Sequence, residues 1–358
     1  MTHLLPAVSV PAPAGAGAAR EEVGVDPVGA AAWGAARDAV LALPRDAAIL
    51  LACHVNPDGD ALGSMLGCGL GLRKLGFHRL EASFPGELDL PDSFRQLPGA
   101  DLLVAASAAG RTPDAVLAFD AASIERLGEL ADVLRAAPVN IVLDHHASNT
   151  AFGQLNLIDP GAAATSVVVD GLLRHLGVAL DAEIAECLYV ALTTDTGSFR
   201  FDSTTPAVHE FAARLLGTGI RPGDISRRLF DSRPFGAVRL FGEVLARARL
   251  EPAAAGGRGL AWTYATVEDL DRYGQRPYIL ESLIDSVRCV EEADVAFVAK
   301  QVRPGEWAVS MRSKGGVDVS AVAVALGGGG HRLAAGFTGY GTIDELVGRI
   351  REQLKDPG

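Results

Sequence analysis

The 358-residue sequence has few cysteines, few aromatic residues and no excess of basic residues. Its four cysteines, Cys53, Cys68, Cys187 and Cys289, form no C-x-x-C pair, which argues against a zinc ribbon or a disulfide framework and favours free thiols in a reducing cytoplasm. The formal net charge of −12 argues against binding to long nucleic acid, because such binding depends on neutralised phosphates. A small phosphate-bearing ligand stays compatible with this charge, since bound metal ions supply positive charge locally.

Targeting and membrane-spanning segments are also missing from the sequence. Residues 1–20 are rich in Ala, Pro and Gly but have neither a basic n-region nor a continuous apolar h-region, so residues 1–25 are predicted to be a disordered tail without an assigned role. The apolar run 61–72 is too short to cross a bilayer and is flanked by Asp60 and Arg73. The sequence therefore predicts a cytoplasmic protein that does not contact a membrane.

Apolar runs followed by helix-like segments predict an α/β fold. The runs 47–53, 115–119 and 139–143 are continuous rather than alternating, as expected for strands of a parallel sheet that is covered on both faces. Helices are predicted at 61–75, 164–176 and 182–192, then from about residue 205, and as one long helix over 222–250. Gly63, Gly67 and Gly71 give the first of these helices a smooth face, which we expect to lie close to the sheet.

The pattern changes beyond residue 250. Residues 251–259 are rich in Ala, Gly and Pro and indicate a domain boundary, after which strands are predicted at 260–265, 293–302 and 307–311 and helices at 278–287 and 343–354. We therefore expect an N-terminal domain over 26–235, with a parallel sheet covered by helices. A linker helix and hinge over 236–258 would join it to a smaller mixed α/β domain over 259–358.

Acidic and imidazole side chains follow the predicted strands and one helix. In open α/β sheets, ligands bind beyond the carboxyl ends of the strands, so side chains at these positions should meet at one edge of the sheet. Taken singly, each segment has a structural explanation as a turn, a helix cap or a helix end. Together they indicate a site. Its members are His54, Asp58 and Asp60 in H-V-N-P-D-G-D, then Asp120, then Asp144, His145 and His146, and finally Asp195.

The charge of this group requires cations. The four carboxylates and two neutral imidazoles that can act as ligands carry about −4 together, and they cannot all ionise side by side without a counter-charge. They are Asp58, Asp60, Asp120, Asp195, His54 and His145. Two divalent ions balance this charge, and an oxygen-rich set with some imidazole suits Mn²⁺ or Mg²⁺ better than a structural zinc. Two such ions, roughly 3.5–4 Å apart, can activate a hydroxide and hold phosphoryl oxygens, which indicates phosphate ester hydrolysis.

The same residues resemble the motifs of a known family, the DHH phosphoesterases. His54-x-x-x-Asp58-x-Asp60, Asp120, Asp144-His145-His146 and Asp195 are similar to its four ordered motifs, and residues 327–336, GGGGHRLAAG, resemble the signature of its associated C-terminal substrate domain. The resemblance covers roughly residues 30 to 355. The size and pairing of the domains are similar to the subgroup of nanoRNases and 3′,5′-bisphosphate nucleotidases, which includes members that hydrolyse cyclic di-AMP and pApA.

The resemblance implies a role for each residue. One Mn²⁺ would be held by His54, Asp58 and Asp120, and the other by Asp60, Asp120, His145 and Asp195, with Asp120 bridging and with Mg²⁺ or Co²⁺ as alternatives. The implied catalytic residues are Asp144, which orients the neighbouring imidazole, and His146, which faces the substrate phosphate. The implied contacts to the terminal phosphate or base are Arg312, Ser313 and His331 with the exposed amides of Gly328, Gly329 and Gly330. The resemblance also implies a homodimer formed through the N-terminal domain.

These observations predict a Mn²⁺-dependent phosphoesterase. It would hydrolyse short nucleotides (cyclic di-AMP, pApA, RNA of two to four nucleotides, or pAp) to mononucleotides, through a hydroxide activated by two metal ions. A family II inorganic pyrophosphatase uses similar metal motifs but is disfavoured by the nucleotide-type C-terminal signature. An exonuclease of the RecJ type is disfavoured by the short chain and the lack of basic charge. A nucleotide-sensing module without turnover is the alternative of a different class, and the complete ligand set disfavours it.

Overall fold

The computed structural model describes residues 27–355, which form two β-sheets with helices packed on them. The predicted disordered tail, residues 1–25, lies outside the described residues. The expected α/β architecture, a helix-covered parallel sheet followed by a smaller mixed sheet, is confirmed. Within residues 27–355, every helix is too short or too polar to pass through a membrane.

The first sheet is parallel throughout, with the strand order β2-β1-β3-β4-β5. The three predicted strands are present. They could be predicted because their side chains are buried on both faces of the sheet and therefore form continuous apolar runs. The two edge strands were not predicted, since each is short and carries polar residues. The strands are β1 (Ala48–Cys53), β2 (Arg79–Ser83), β3 (Ala115–Phe119), β4 (Val139–Asp144) and β5 (Leu155–Ile158).

Helices cover both faces of this sheet. The larger hydrophobic cluster lies under the faces of the helices that follow β1 and β5, and a smaller one lies on the opposite face. The helices in this part are α1 (Ala30–Ala42), α2 (Gly59–Lys74), α3 (Asp92–Arg95), α4 (Ala131–Ala136), α5 (Thr165–His175), α6 (Ala182–Asp195), α7 (Pro206–Leu216) and α8 (Pro222–Phe230).

The glycine face of α2 packs against helices rather than against the sheet. A Cβ atom on Gly63 would lie 2.4 Å from the carbonyl oxygen of Cys187 in α6, and one on Gly71 would lie 2.3 Å from a methyl carbon of Leu173 in α5. The expectation that this face contacts the sheet was therefore wrong. Close packing was correctly inferred, but the partner could not be read from the spacing, because α2 is buried on all sides from Gly59 to Leu72.

The single long helix predicted over 222–250 was also wrong. Helix α8 ends at Phe230, and a separate helix, α9 (Phe235–Ala246), starts after Pro234. Proline has no backbone N–H and disfavours helical geometry in the residue before it, which ends a helix at this point. The chain then enters a strand at Arg249 instead of continuing as a helix.

The second sheet is mixed, with the strand order β10-β11-β9-β8-β7-β6. Strands β7 and β8 are parallel and the other neighbours are antiparallel. Its strands are β6 (Arg249–Glu251), β7 (Leu260–Ala265), β8 (Val295–Arg303), β9 (Glu306–Ser313), β10 (Gly329–His331) and β11 (Ala334–Tyr340). Strands β6, β10 and β11 were not predicted; the last two are rich in glycine and alanine and have few β-branched residues, which hides the strand pattern.

The helices of this part pack on both faces of the second sheet. They are α10 (Ala254–Gly257), α11 (Val267–Tyr273), α12 (Leu283–Val287), α13 (Val319–Ala325) and α14 (Ile343–Gln353). Helix α9, expected in the linker, buries Leu240 and Val244 in the same cluster as Leu283 and Val298 of this second part. The residue bounds proposed for the two domains and the hinge stay a prediction.

Candidate metal centre

Three neighbouring strands of the first sheet end in the acidic and imidazole residues. His54 follows β1, Asp120 follows β3 and Asp144 is the last residue of β4. Because these strands are parallel and adjacent, their carboxyl ends meet at one edge of the sheet. Asp120 has a positive φ of 55°, a conformation that is uncommon for residues other than glycine and turns the chain sharply after the strand.

Two helix ends bring the remaining carboxylates to this edge. Asp58 caps the N-terminus of α2, where its Oδ1 accepts from the amides of Asp60 and Ala61 at 3.0 and 3.1 Å, and its Oδ2 is left for another partner. Asp195 is the last residue of α6. The cluster therefore gathers residues that are spread over more than a third of the chain.

Two of the groups of ligand atoms close enough to hold one ion share Asp120 and match the predicted ligands. Atoms of His54, Asp58 and Asp120 lie within 4.8 Å of one another, and so do those of Asp60, Asp120 and His145. Oδ2 of Asp195 lies 3.3 Å from Nε2 of His145 and so adjoins the second group. This is the same division that the family resemblance implies, with Asp120 common to both groups, although the role of each residue as a ligand stays a prediction.

Hydrogen bonds set both buried imidazoles in the form that binds a cation. Nδ1 of His54 donates to the carbonyl oxygen of Val55 (2.8 Å), and Nδ1 of His145 donates to that of Ala162 (3.1 Å). The unprotonated Nε2 of each neutral ring then faces carboxylates: that of His54 is 3.3 Å from Oδ2 of Asp120. A lone pair directed at a carboxylate is repulsive unless a proton or a metal cation lies between them, so the geometry fits divalent ions in place of protons.

Asp144 holds its neighbours in place through hydrogen bonds. It is fully buried, and Oδ1 accepts from the backbone amide of His145 (2.8 Å) and from Nδ1 of His146 (2.7 Å). Oδ2 accepts from the side-chain amide of Asn149 (2.5 Å). With Nδ1 engaged, Nε2 of His146 is the ring atom left for the cleft. Asn149 was not predicted, and nothing in the sequence distinguishes it from an ordinary loop asparagine.

The first turn of α5 holds two of the cluster's carboxylates. Asp60 accepts from the amides of Thr165 (2.7 Å) and Ser166 (3.3 Å), and from the hydroxyl of Ser64 (2.9 Å). Asp120 accepts from the hydroxyl of Thr165 (3.0 Å). Amides at a helix N-terminus are otherwise unpaired and favour negative charge, which stabilises the buried carboxylates. These residues were missed because the helix was predicted but not its position relative to Asp60.

The pKa values show how crowded the negative charge is. Burial, followed by the charges of Asp120 and Asp195, raises the pKa of Asp60 well above its usual range. Burial, followed by the charges of Asp58 and Asp120, also raises the pKa of Asp195 well above its usual range. Burial opposes a charged His54, but its hydrogen bond to Asp120 prevails and raises its pKa. The cluster thus retains protons in place of cations, as expected for a site built to bind metal ions.

The second sheet supplies a residue that covers the cluster. The ring of His331 stacks on that of His146, with centroids 4.6 Å apart, and lies 5.4 Å from the ring of His145. Burial opposes a charged His146, yet the hydrogen bond to Asp144 and the charge of Asp120 raise its pKa to about 9. Desolvation of the ring, then the charges of His146 and His145, lower the pKa of His331 to about 4, although the residue as a whole is exposed.

Two other residues predicted to bind substrate, Arg312 and Ser313, have different surroundings. Arg312 lies close enough to Asp195 for their charges to interact. The hydroxyl of Ser313 donates to Asp294 (3.1 Å) and accepts from the amide of Gly315 (3.0 Å), so it already holds a turn. Its contact with substrate stays a prediction.

The prediction that the amide of Gly328 is free was wrong, because that amide donates to the carbonyl oxygen of Ala323 (2.8 Å). Gly329 and Gly330 pair with β11, and a Cβ atom on Gly330 would lie 2.6 Å from the oxygen of Ala334. At least two of these glycines, Gly328 and Gly330, therefore serve the close approach of the hairpin strands. Any contact of Gly329 and Gly330 with an anion stays a prediction.

Comparisons with known proteins agree with this architecture. Residues 48–192 match the DHH family, N-terminal domain, and residues 261–356 match the DHHA1 domain. A bifunctional oligoribonuclease and PAP phosphatase, NrnA, from Thermus thermophilus is 34% identical over 317 residues, covering 86% of this chain and 89% of that protein. The protein of the same name from Bacillus subtilis is 27% identical over 308 residues, covering 82% and 89%.

A solved structure is similar along most of the chain. An exopolyphosphatase-related protein from Bacteroides fragilis superposes with a TM-score of 0.79 at 24% identity, over 91% of this chain and 96% of that one, which supports the fold. Together with the family match and the named relatives, the carboxylate and imidazole cluster at the strand ends identifies the protein as a hydrolase acting on phosphoester bonds. The chain belongs to the DHH family.

Proposed function

We propose that this protein is a Mn²⁺-dependent phosphoesterase that hydrolyses short nucleotides to mononucleotides. The observation that carries the proposal is the pair of ligand groups sharing Asp120, next to which His331 of the second sheet stacks on His146. His331 on the second sheet would bind substrate, and the ligand groups on the first sheet would hold the ions, so the substrate would lie in a cleft between the two sheets. The acidic chain suits a short substrate, which needs few phosphate contacts.

Two divalent ions fit the donor set. His54, Asp58 and Asp120 would hold one, and Asp60, Asp120, His145 and Asp195 would hold the other. When bound, such ions supply charge neutralisation and an activated water for in-line attack on phosphorus. Oxygen-rich ligation with some imidazole favours Mn²⁺, with Mg²⁺ or Co²⁺ as substitutes.

The chain's own residues would position the substrate and handle a proton. His146 is held by Asp144 at Nδ1, so its Nε2–H can donate to a phosphoryl or leaving-group oxygen in the cleft. The raised pKa of His146 favours the protonated ring that such a donor needs. Arg312 and His331 would contact the nucleotide from the second sheet, and their side of the cleft would exclude longer chains.

The choice of substrates rests on the relatives and on the subgroup. Two relatives carry the names of oligoribonuclease and PAP phosphatase, which favours short RNA and pAp for this chain. Resemblance to the subgroup adds pApA and cyclic di-AMP to the candidates. Pyrophosphate is the alternative substrate of a family II type enzyme, and absence of turnover is the signature of a sensing module.

Turnover of these substrates side by side tests the proposal. We expect the purified protein with Mn²⁺ to release AMP from pApA and pAp, and Asp120→Ala to reduce this at least about 1000-fold, because both ligand groups lose their shared carboxylate. Asp132→Ala, at an exposed position on α4, is the matched control and should keep full activity. Phosphate release from pyrophosphate but not AMP release from pApA, or no turnover at all, would refute the proposal.

A further inference from the structure

One arginine at the rim of the cluster was not singled out by the sequence. Arg126 lies in the 3-10 segment Ile124–Leu130, just after the turn at Asp120, and its Nη2 is 3.1 Å from Nδ1 of His54. Its backbone is fixed, because its carbonyl oxygen accepts from the amide of Val55 (2.9 Å) and its amide donates to Ser123 (3.1 Å). The side chain is exposed at the cleft.

The contact between Arg126 and His54 leaves the guanidinium group without an acceptor. Nδ1 of His54 already donates to Val55, and a protonated ring nitrogen cannot accept a second hydrogen bond. Among residues 27–355, no carboxylate lies within 4.0 Å of the Arg126 guanidinium. The nearby Arg135, by contrast, pairs with Asp132 at 2.8 Å. Arg126 therefore presents unused donors at the edge of the site.

The Arg126 guanidinium group, beside the ligand residues, is placed where it could bind an anion. The ligand residues carry about −4, which two divalent ions neutralise, so the guanidinium beside them has no net negative charge left to pair with once the ions are bound. A phosphoryl group between the ions and the arginine supplies that negative charge, and guanidinium donors match two phosphate oxygens at once. Arg312 approaches the same cluster from the second sheet, also without a carboxylate within 4.0 Å in the described part of the chain.

We propose that Arg126 binds the phosphoryl group that undergoes hydrolysis and stabilises the negative charge that develops on its oxygens. This inference rests on the proposed phosphoesterase function. Arg126 would act from the side of His54, and Arg312 would reach the substrate from the second sheet. The role is distinct from metal binding, because Val55 rather than Arg126 holds the His54 ring.

The test compares two substrates that differ in one phosphate. ApA has only the phosphate that is cleaved, whereas pApA also has a terminal one. For Arg126→Gln we expect kcat/KM to fall about 10- to 100-fold for both, with most of the loss in kcat, and Arg126→Lys to recover part of it. Arg135→Gln is the control. Calorimetric titration with Mn²⁺ alone should give the same affinity for wild type and Arg126→Gln, and inorganic phosphate should bind the Mn²⁺-loaded variant more weakly.

Three outcomes would overturn the inference. A loss confined to pApA would mean that Arg126 contacts the terminal phosphate instead. A Mn²⁺ affinity that falls in step with turnover would mean that Arg126 only supports His54. Turnover and phosphate binding equal to wild type would mean that the guanidinium group touches no phosphate. If wild-type protein itself turns over neither substrate, the proposed function fails, and phosphate binding to the Mn²⁺-loaded variant still decides the inference.

Discussion

Binding of Mn²⁺ to the cluster should release protons. The pKa values of Asp60 and Asp195 are raised well above their usual range, mainly by burial and then by neighbouring carboxylates, and that of His54 is raised by Asp120 against the effect of burial. These groups bind metal ions only when deprotonated. Metal ions and protons therefore compete for the same atoms, and metal affinity should rise with pH.

Each of these three groups can carry a proton that a bound ion displaces. The charge of Asp195 also disfavours ionisation of Asp60, so the two carboxyl groups do not ionise independently. We therefore expect the number of protons released on Mn²⁺ binding to be above zero and to fall as the pH rises.

Isothermal titration of the metal-free protein with Mn²⁺ measures this number. The observed enthalpy, plotted against the ionisation enthalpy of several buffers, has a slope equal to the protons released. Asp195→Asn removes one of the two crowded carboxylates, and its slope should be smaller than that of the wild type. Asp132→Asn, at an exposed position, should leave the slope unchanged. An enthalpy that does not depend on the buffer would refute the charge assignment of the cluster.

The same pKa shifts fix the sign of the pH dependence of stability. A carboxyl group whose pKa is higher in the folded state binds more protons folded than unfolded, so the free energy of unfolding falls as the pH rises above the unfolded value of about 4. The raised pKa of His146 acts in the same direction up to about pH 9. Metal-free protein should thus melt at a lower temperature at pH 8 than at pH 6. Saturating Mn²⁺ should reduce or reverse this difference, and an unchanged difference would contradict it.

Two further substitutions test packing and orientation. Gly63→Ala would place a Cβ atom 2.4 Å from the carbonyl oxygen of Cys187 and should lower the free energy of unfolding by about 1–3 kcal/mol in urea titrations. Gly34→Ala, with nothing within 4 Å, should instead raise it by about 0.5–1 kcal/mol; equal effects would refute the packing argument. Asn149→Ala leaves an oxygen of buried Asp144 unpaired and should cost about 1–3 kcal/mol and reduce kcat, with little change in Mn²⁺ affinity. Wild-type kcat and stability would show that this contact has no role.

The sequence predicted the fold best where strands are buried on both faces and therefore appear as uninterrupted apolar runs. Strands β1, β3 and β4 are buried on both faces, so their apolar runs were visible, and the polar residues that follow them marked the edge where the cluster forms. Asp195 lacks such a context, because it ends a helix. Taken singly it could simply end that helix, and it was assigned to the cluster only together with the residues that follow the strands.

Other features depend on contacts that a single sequence does not reveal. The amides of Thr165 and Ser166 reach Asp60 across more than a hundred residues, and the spacing within either segment gives no sign of this. Likewise, Arg126 lies within a short 3-10 segment and has the sequence context of an ordinary surface arginine. The close approach of the strands at Gly328 and Gly330 was likewise not visible in the glycine run, from which only a contact of its amides with an anion was predicted.

Because strands β1, β3 and β4 are adjacent and parallel, their pairing must precede assembly of the ligand cluster in the newly made protein. Antiparallel hairpins can form from neighbouring segments, but parallel pairing has to wait for distant parts of the chain, and it is slow for that reason. Until these strands are aligned, only the short segment from His54 to Asp60 offers ligands close together. We therefore expect divalent ions to bind only at the last stage of folding, and a chain arrested earlier should gain little stability from added metal.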